Sequence, residues 1–135
     1  MATTKVTVTL RNKGDLAGLV LLGKDYGSVV IVKTLQGNVL RQIFCIHADL
    51  GSPEEVAAEV PLAQDQAYLR VEVNEGKISF SYSLNGQDFE AIGQTFRAQA
   101  GVWTGAKIGI FASGNADRGE LGYADFDWFR LSALK

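Results

Sequence analysis

The chain has 135 residues, of which 47% are apolar and 21% charged, a balance that suits one soluble globular domain with its own hydrophobic core. A net charge of −2, with basic residues scattered along the chain, leaves no electrostatic footprint for nucleic acid or an anionic membrane. No apolar run is long enough to span a bilayer. One cysteine, Cys45, excludes an internal disulfide and is too few for a structural zinc site. Met1-Ala2-Thr3-Thr4-Lys5 has no apolar stretch after a basic start, so it is not a signal peptide and the compartment stays open.

Lys5 to Leu10 alternates, with Val6, Val8 and Leu10 on one face, and predicts a half-buried strand. Leu16 to Leu22 is nearly all apolar, as expected of a central strand covered on both faces. A loop carrying Tyr26 at its tip leads into the β-branched run Val29 to Val32, and Gln36-Gly37-Asn38 turns into Val39 to His47. Ser52-Pro53-Glu54-Glu55 resembles a helix start but has no room for a helix; a loop and a strand near Ala57 to Leu62 are expected instead. Leu69, Val71 and Val73 face inward on the next strand, with Tyr68, Arg70 and Glu72 outward. Ile78, Phe80, Tyr82 and Leu84 share the inner face of the one after. Asn85-Gly86 is the strongest hairpin signal. Ile108 and Ile110 oppose Lys107, Gly109 and Phe111, and a polar loop from Ser113 precedes the closing strand Tyr123 to Leu131. Strict alternation there puts Phe126 and Trp128 on one face and Asp125, Asp127 and Phe129 on the other. About eight or nine short strands without helical periodicity predict an all-β, antiparallel two-sheet sandwich filling residues 1–135 as one domain.

Enzymatic machinery is thin. The lone histidine, His47, ends a strand and is expected to be hydrogen-bonded locally, while Cys45 in its apolar run reads as a small buried hydrophobe. Asp117, Glu120, Asp125 and Asp127 fall close together and allow three readings. They can be solvated charges paired with Arg118 or Arg130. They can be oxygen ligands for structural Ca2+, with Asp125 and Asp127 as the metal candidates. Least favoured is an acid–base pair. Outward aromatics form the third feature. Tyr26, Tyr68, Phe111 and Trp103, with Arg70, Glu72 and Lys107 nearby, suit a sugar platform in which rings stack on C–H faces and charges bond hydroxyls. A partner domain covering them is the other reading.

Several motifs recur in order: Asp15 to Val20 with Gly23-Lys24-Asp25-Tyr26, Cys45 to Asp49, Tyr68-Leu69-Arg70-Val71, and Phe80-Ser81-Tyr82-Ser83 with Asn85-Gly86. They continue through Gly101 to Gly109 and end in Tyr123 to Phe129. In this order the chain resembles the concanavalin-A-like C-terminal module of family 43 glycoside hydrolases, the β-xylosidase and arabinofuranosidase group, whose related modules are classed as xylan-binding. The resemblance implies a jelly-roll sandwich with no catalysis of its own, packed in a parent enzyme against a family 43 catalytic domain. It implies xylan or xylo-oligosaccharide as ligand, and the outward aromatics and charges make Tyr26, Tyr68, Arg70, Lys107 and Phe111 the expected contact residues. The family module normally begins upstream, so this chain is expected to be partial and to leave an open strand edge at Lys5–Leu10. That edge predicts a homo-oligomer.

Overall fold

The computed structural model describes residues 1–97, 107–114 and 122–132. Among them the alternating segments form eleven strands. These are β1 (Ala2–Thr9), β2 (Leu16–Leu22), β3 (Tyr26–Thr34), β4 (Gly37–Cys45), β5 (Glu55–Pro61) and β6 (Gln66–Asn74), followed by β7 (Lys77–Ser83), β8 (Glu90–Ala91), β9 (Phe96–Arg97), β10 (Lys107–Ser113) and β11 (Tyr123–Leu131). One 3₁₀ turn, Ala48–Leu50, precedes the Ser52-Pro53-Glu54 stretch, which is not helical, and β5 begins just before the expected strand. One sheet runs β11-β1-β6-β7-β8, with β9 also on β7; the other runs β10-β2-β3-β4-β5. Neighbours in both are antiparallel, as expected of a two-sheet sandwich.

The core lies between the sheets. Val6, Val8, Leu69, Val71, Ile78 and Phe80 from the first sheet meet Leu19, Leu21, Val29, Ile31 and Leu40 from the second. Each such side chain contributes roughly 1.5–3 kcal/mol by leaving water. Phe80 is the largest fully buried side chain, and its ring lies against Gly27 of the opposite sheet, where a Cβ would come within 3.0 Å. The apolar runs in β2 and β3 also feed a second cluster on the far side of their sheet. There Val30, Val32 and Ile43 pack with Leu16, Val39 and Phe111.

Three expectations are corrected. Lys5–Leu10 does not present an open edge, because β1 is hydrogen-bonded to β11 on one side and to β6 on the other. In β11, alternation breaks at Asp127: Lys5 pairs with Trp128 while Val6 pairs with Phe126, so Asp127 is the extra residue of a β-bulge. Beyond the bulge the faces exchange. Phe126 stays on the core, Trp128 turns outward toward Tyr68, and Phe129 falls opposite buried Thr4. Thr4 Oγ1 donates to the Trp128 carbonyl at 2.7 Å, holding the irregular backbone in place. Val73 and Leu84, expected inward, are 41% and 53% exposed because Val73 lies next to the end of β6 and Leu84 lies beyond the end of β7.

Phe80→Ala would empty the contact with Gly27. The expected loss is about 3–5 kcal/mol of unfolding free energy, measured by urea titration at unchanged m-value.

Candidate functional site

The sandwich carries its outward aromatics on two opposite faces, and the five residues expected at one sugar site divide between them. Tyr68 and Arg70 lie on the outer face of the β11-β1-β6 sheet. Tyr26, Lys107 and Phe111 lie on the outer face of the β10-β2-β3 sheet.

On the first face the rings already have partners within the chain. Tyr68 and Trp128 flank Lys5 from either side, with ring centroids 6.0 Å apart, and Lys5 Nζ sits 5.7 Å from the Tyr68 centroid. The turn glycine Gly86 approaches the other part of the Tyr68 ring so closely that a Cβ would fall 2.9 Å away. Its φ of +84 also favours glycine. Arg130 lies 4.2 Å over Trp128. Arg70 lies 3.5 Å over Phe89 and donates from Nε to Thr3 Oγ1 at 3.0 Å. A ring face covered by a guanidinium is not free to stack on a pyranose.

The two metal candidates share this side. Asp127 Oδ2 lies 3.4 Å from Lys5 Nζ, and Asp125 stands exposed opposite Thr7. Among the described residues no three carboxylate, histidine or cysteine side chains gather as a metal site. Asp117, Glu120 and Trp103 lie outside the described residues.

On the second face the described residues leave a cleft. Tyr26, Ser28, Val20, Leu22 and Ile43 line a cleft of about 280 Å3 with Leu16, Glu54 and Phe111. Phe111 reaches this position because it pairs with Gly18, which has no side chain to compete for the space beside Val30. Tyr26 belongs to the start of β3, not to a loop tip, and its hydroxyl donates a hydrogen bond to Glu54 Oε2. Burial, and then Glu54 itself, push the Tyr26 phenol well above its ordinary value of 10.0. Lys107 is exposed and stands opposite Leu22 at the rim of the same face. Cys45, next to Tyr26 in register, is 2% exposed with its thiol bonded to the Ser52 carbonyl, as a small buried residue should be. His47 takes a left-handed conformation, φ +59, held by its backbone N–H on buried Asp25 Oδ1 at 2.7 Å. It forms no pair with Cys45.

Two residues of these faces escaped the sequence. Glu54 reaches Tyr26 across 28 positions and no local pattern links them. Trp128 was placed on the core side by a period-two count that the bulge interrupts.

The model of the beta-xylosidase C-terminal concanavalin A-like domain family matches residues 1–132. A beta-xylosidase of Formosa agariphila is 36% identical over 62 residues, which is 46% of this chain and 10% of that protein. Among solved structures, a bifunctional GH43-CE protein of Bacteroides eggerthii is similar over 96% of this chain and 17% of its own, at 26% identity and a TM-score of 0.79. The xylan beta-1,4-xylosidase of Bacillus halodurans shares the fold over 96% of this chain and 26% of its own, at 21% identity and a TM-score of 0.76. The chain therefore spans about a quarter or less of these relatives.

A raised phenol holds its proton more tightly in the folded state than in the unfolded one. The stability it contributes is therefore full below pH 10.0 and lost as pH rises above that value. Tyr26→Phe should flatten the alkaline loss of stability. Glu54→Gln should lower the Tyr26 titration seen by phenolate absorbance without returning it to the ordinary value, since burial is the larger cause.

Proposed function

We infer that this chain, which belongs to the beta-xylosidase C-terminal concanavalin A-like domain family, is a non-catalytic accessory module that holds xylan or a related plant polysaccharide for a family 43 catalytic domain. The observation that carries this reading is the cleft on the β10-β2-β3 face. It combines the Phe111 ring, aliphatic walls and one hydrogen-bonding pair, Tyr26 and Glu54, in a volume of about 280 Å3. A sugar needs those three things: an apolar platform for its C–H face, walls that exclude water, and a few convergent acceptors for its hydroxyls. The names of the similar proteins, beta-xylosidase and xylan beta-1,4-xylosidase, supply the substrate class.

A second reading rests on the same face. Leu22 is 51% exposed beside Val20 and Ile43, an aliphatic surface that also suits packing against another domain of a longer enzyme.

Calorimetric titration with xylo-oligosaccharides, with cello-oligosaccharides as control, separates the two. Saturable heat confined to the xylan series is expected. Phe111→Ala should weaken binding about tenfold, roughly 1.4 kcal/mol, and Tyr68→Ala on the opposite face should change nothing. Heat from neither series would overturn sugar binding and leave the domain-packing reading.

A further inference from the structure

We propose that the β11-β1-β6 face holds a second site, for the carboxylate of an acidic sugar, a uronate, on the side of the sandwich away from the cleft. The sugar in this assignment rests on the polysaccharide reading above; the carboxylate rests on the geometry. Register builds the site. Thr3 of β1 pairs with Arg130 of β11 on one side and with Arg70 of β6 on the other, so two guanidinium side chains flank one residue on the outer face. Two strand spacings, roughly 10 Å between Cα atoms, separate them. The neighbouring outward row is Trp128, Lys5 and Tyr68.

Each guanidinium is fixed by a ring and not by an acid. Arg130 lies 4.2 Å over Trp128, and Arg70 lies 3.5 Å over Phe89. A guanidinium stacked on a ring keeps its N–H edge in the plane of the stack, where it can meet a planar carboxylate through two parallel hydrogen bonds. Arg70 uses Nε on Thr3 Oγ1 at 3.0 Å, and that hydroxyl keeps its own proton to donate. Because the side chains are ordered before any ligand arrives, binding loses little entropy in arranging them.

The acids of this face are placed elsewhere. Asp127 pairs with Lys5 at 3.4 Å. Asp125 stands opposite Thr7 and Glu72 opposite Ser79, and among the described residues neither forms an ion pair with Arg70 or Arg130. Residues 98–106 and 133–135 contain no acidic side chain. Asp117 and Glu120 precede Tyr123, which pairs with Thr9, six residues along β1 from Thr3. Two planar forks without a counter-ion suit a planar carboxylate better than a point charge would. Ser81, opposite Arg70 on β7, adds a hydroxyl beside the fork, and a uronate carries both a carboxylate and hydroxyls.

The test is a titration of xylotetraose and of glucuronate-substituted xylotetraose into the wild type, Arg130→Gln and Phe111→Ala. Arg130 is exposed, so its replacement keeps the fold. The substituted sugar should bind the wild type about tenfold tighter than the plain one. That advantage should survive Phe111→Ala, disappear in Arg130→Gln, and fade at about 1 M salt, where screening acts over about 3 Å. Equal affinity for the two sugars, or an advantage that survives Arg130→Gln, overturns the carboxylate site and leaves the xylan reading standing. An advantage lost in Phe111→Ala puts the acid in the cleft and overturns it as well. Binding of the substituted sugar alone, lost in Arg130→Gln, supports the site and overturns sugar binding in the cleft. Silence with both sugars overturns both.

Discussion

The architecture depends on β1 being bonded on both sides. Its ladders to β11 and β6 join the first residues of the chain to the last and to its middle. Such non-local pairing carries a large closure entropy, which has to be offset by many contacts made together. Here the offset is continuous. Ala2, Thr4, Val6 and Val8 are buried along one face of β1, and both edges of the strand are hydrogen-bonded. The ends are clamped where they meet: the Met1 amino group donates to the Ser132 carbonyl at 2.8 Å, and the Ser132 N–H donates back to Met1 at 2.9 Å. With β1 in place, β11 has a template, and the bulge at Asp127 follows from matching the two strands.

From that arrangement the two outer faces take different characters. The β1 face turns its aromatic rings toward its own cations and the Gly86 turn, which makes it rigid and self-contained. The β2–β3 face carries the Arg41–Glu59 ion pair, 2.7 Å apart, and Lys107 at its rim. Its aliphatic side chains pack on one another around Phe111 and leave a depression whose polar groups are few and fixed. An open apolar depression with oriented acceptors is what the proposed sugar contact needs; a ring already stacked on a guanidinium is committed to the fold. The same residue types therefore have different surroundings on the two sides of one sandwich.

Much of this was legible in the residues. Period-two alternation located β1, β6, β7 and β10, and the unbroken apolar runs of β2 and β3 announced strands covered on both faces, as the outer cluster around Val30 shows. The outward placement of Tyr68, Arg70 and Phe111 also followed from alternation, because a side chain's face depends only on its parity within a regular strand. Parity fails where regularity fails. The bulge reversed Trp128 and Phe129 because one unpaired residue shifts every later side chain to the other face.

The sequence by itself determined most of the strands, the inward residues of the regular ones, the all-β class and the family, since each is written in local spacing or in motifs kept in order. Only the tertiary structure decided which strands are neighbours and which aromatics share a face. It placed β1 in the middle of a sheet, parted Tyr68 from Tyr26 by the thickness of the core, and brought Glu54 to Tyr26. The reason is physical. Strand pairing is chosen by the burial of all inner faces together, and no short stretch of chain contains that sum.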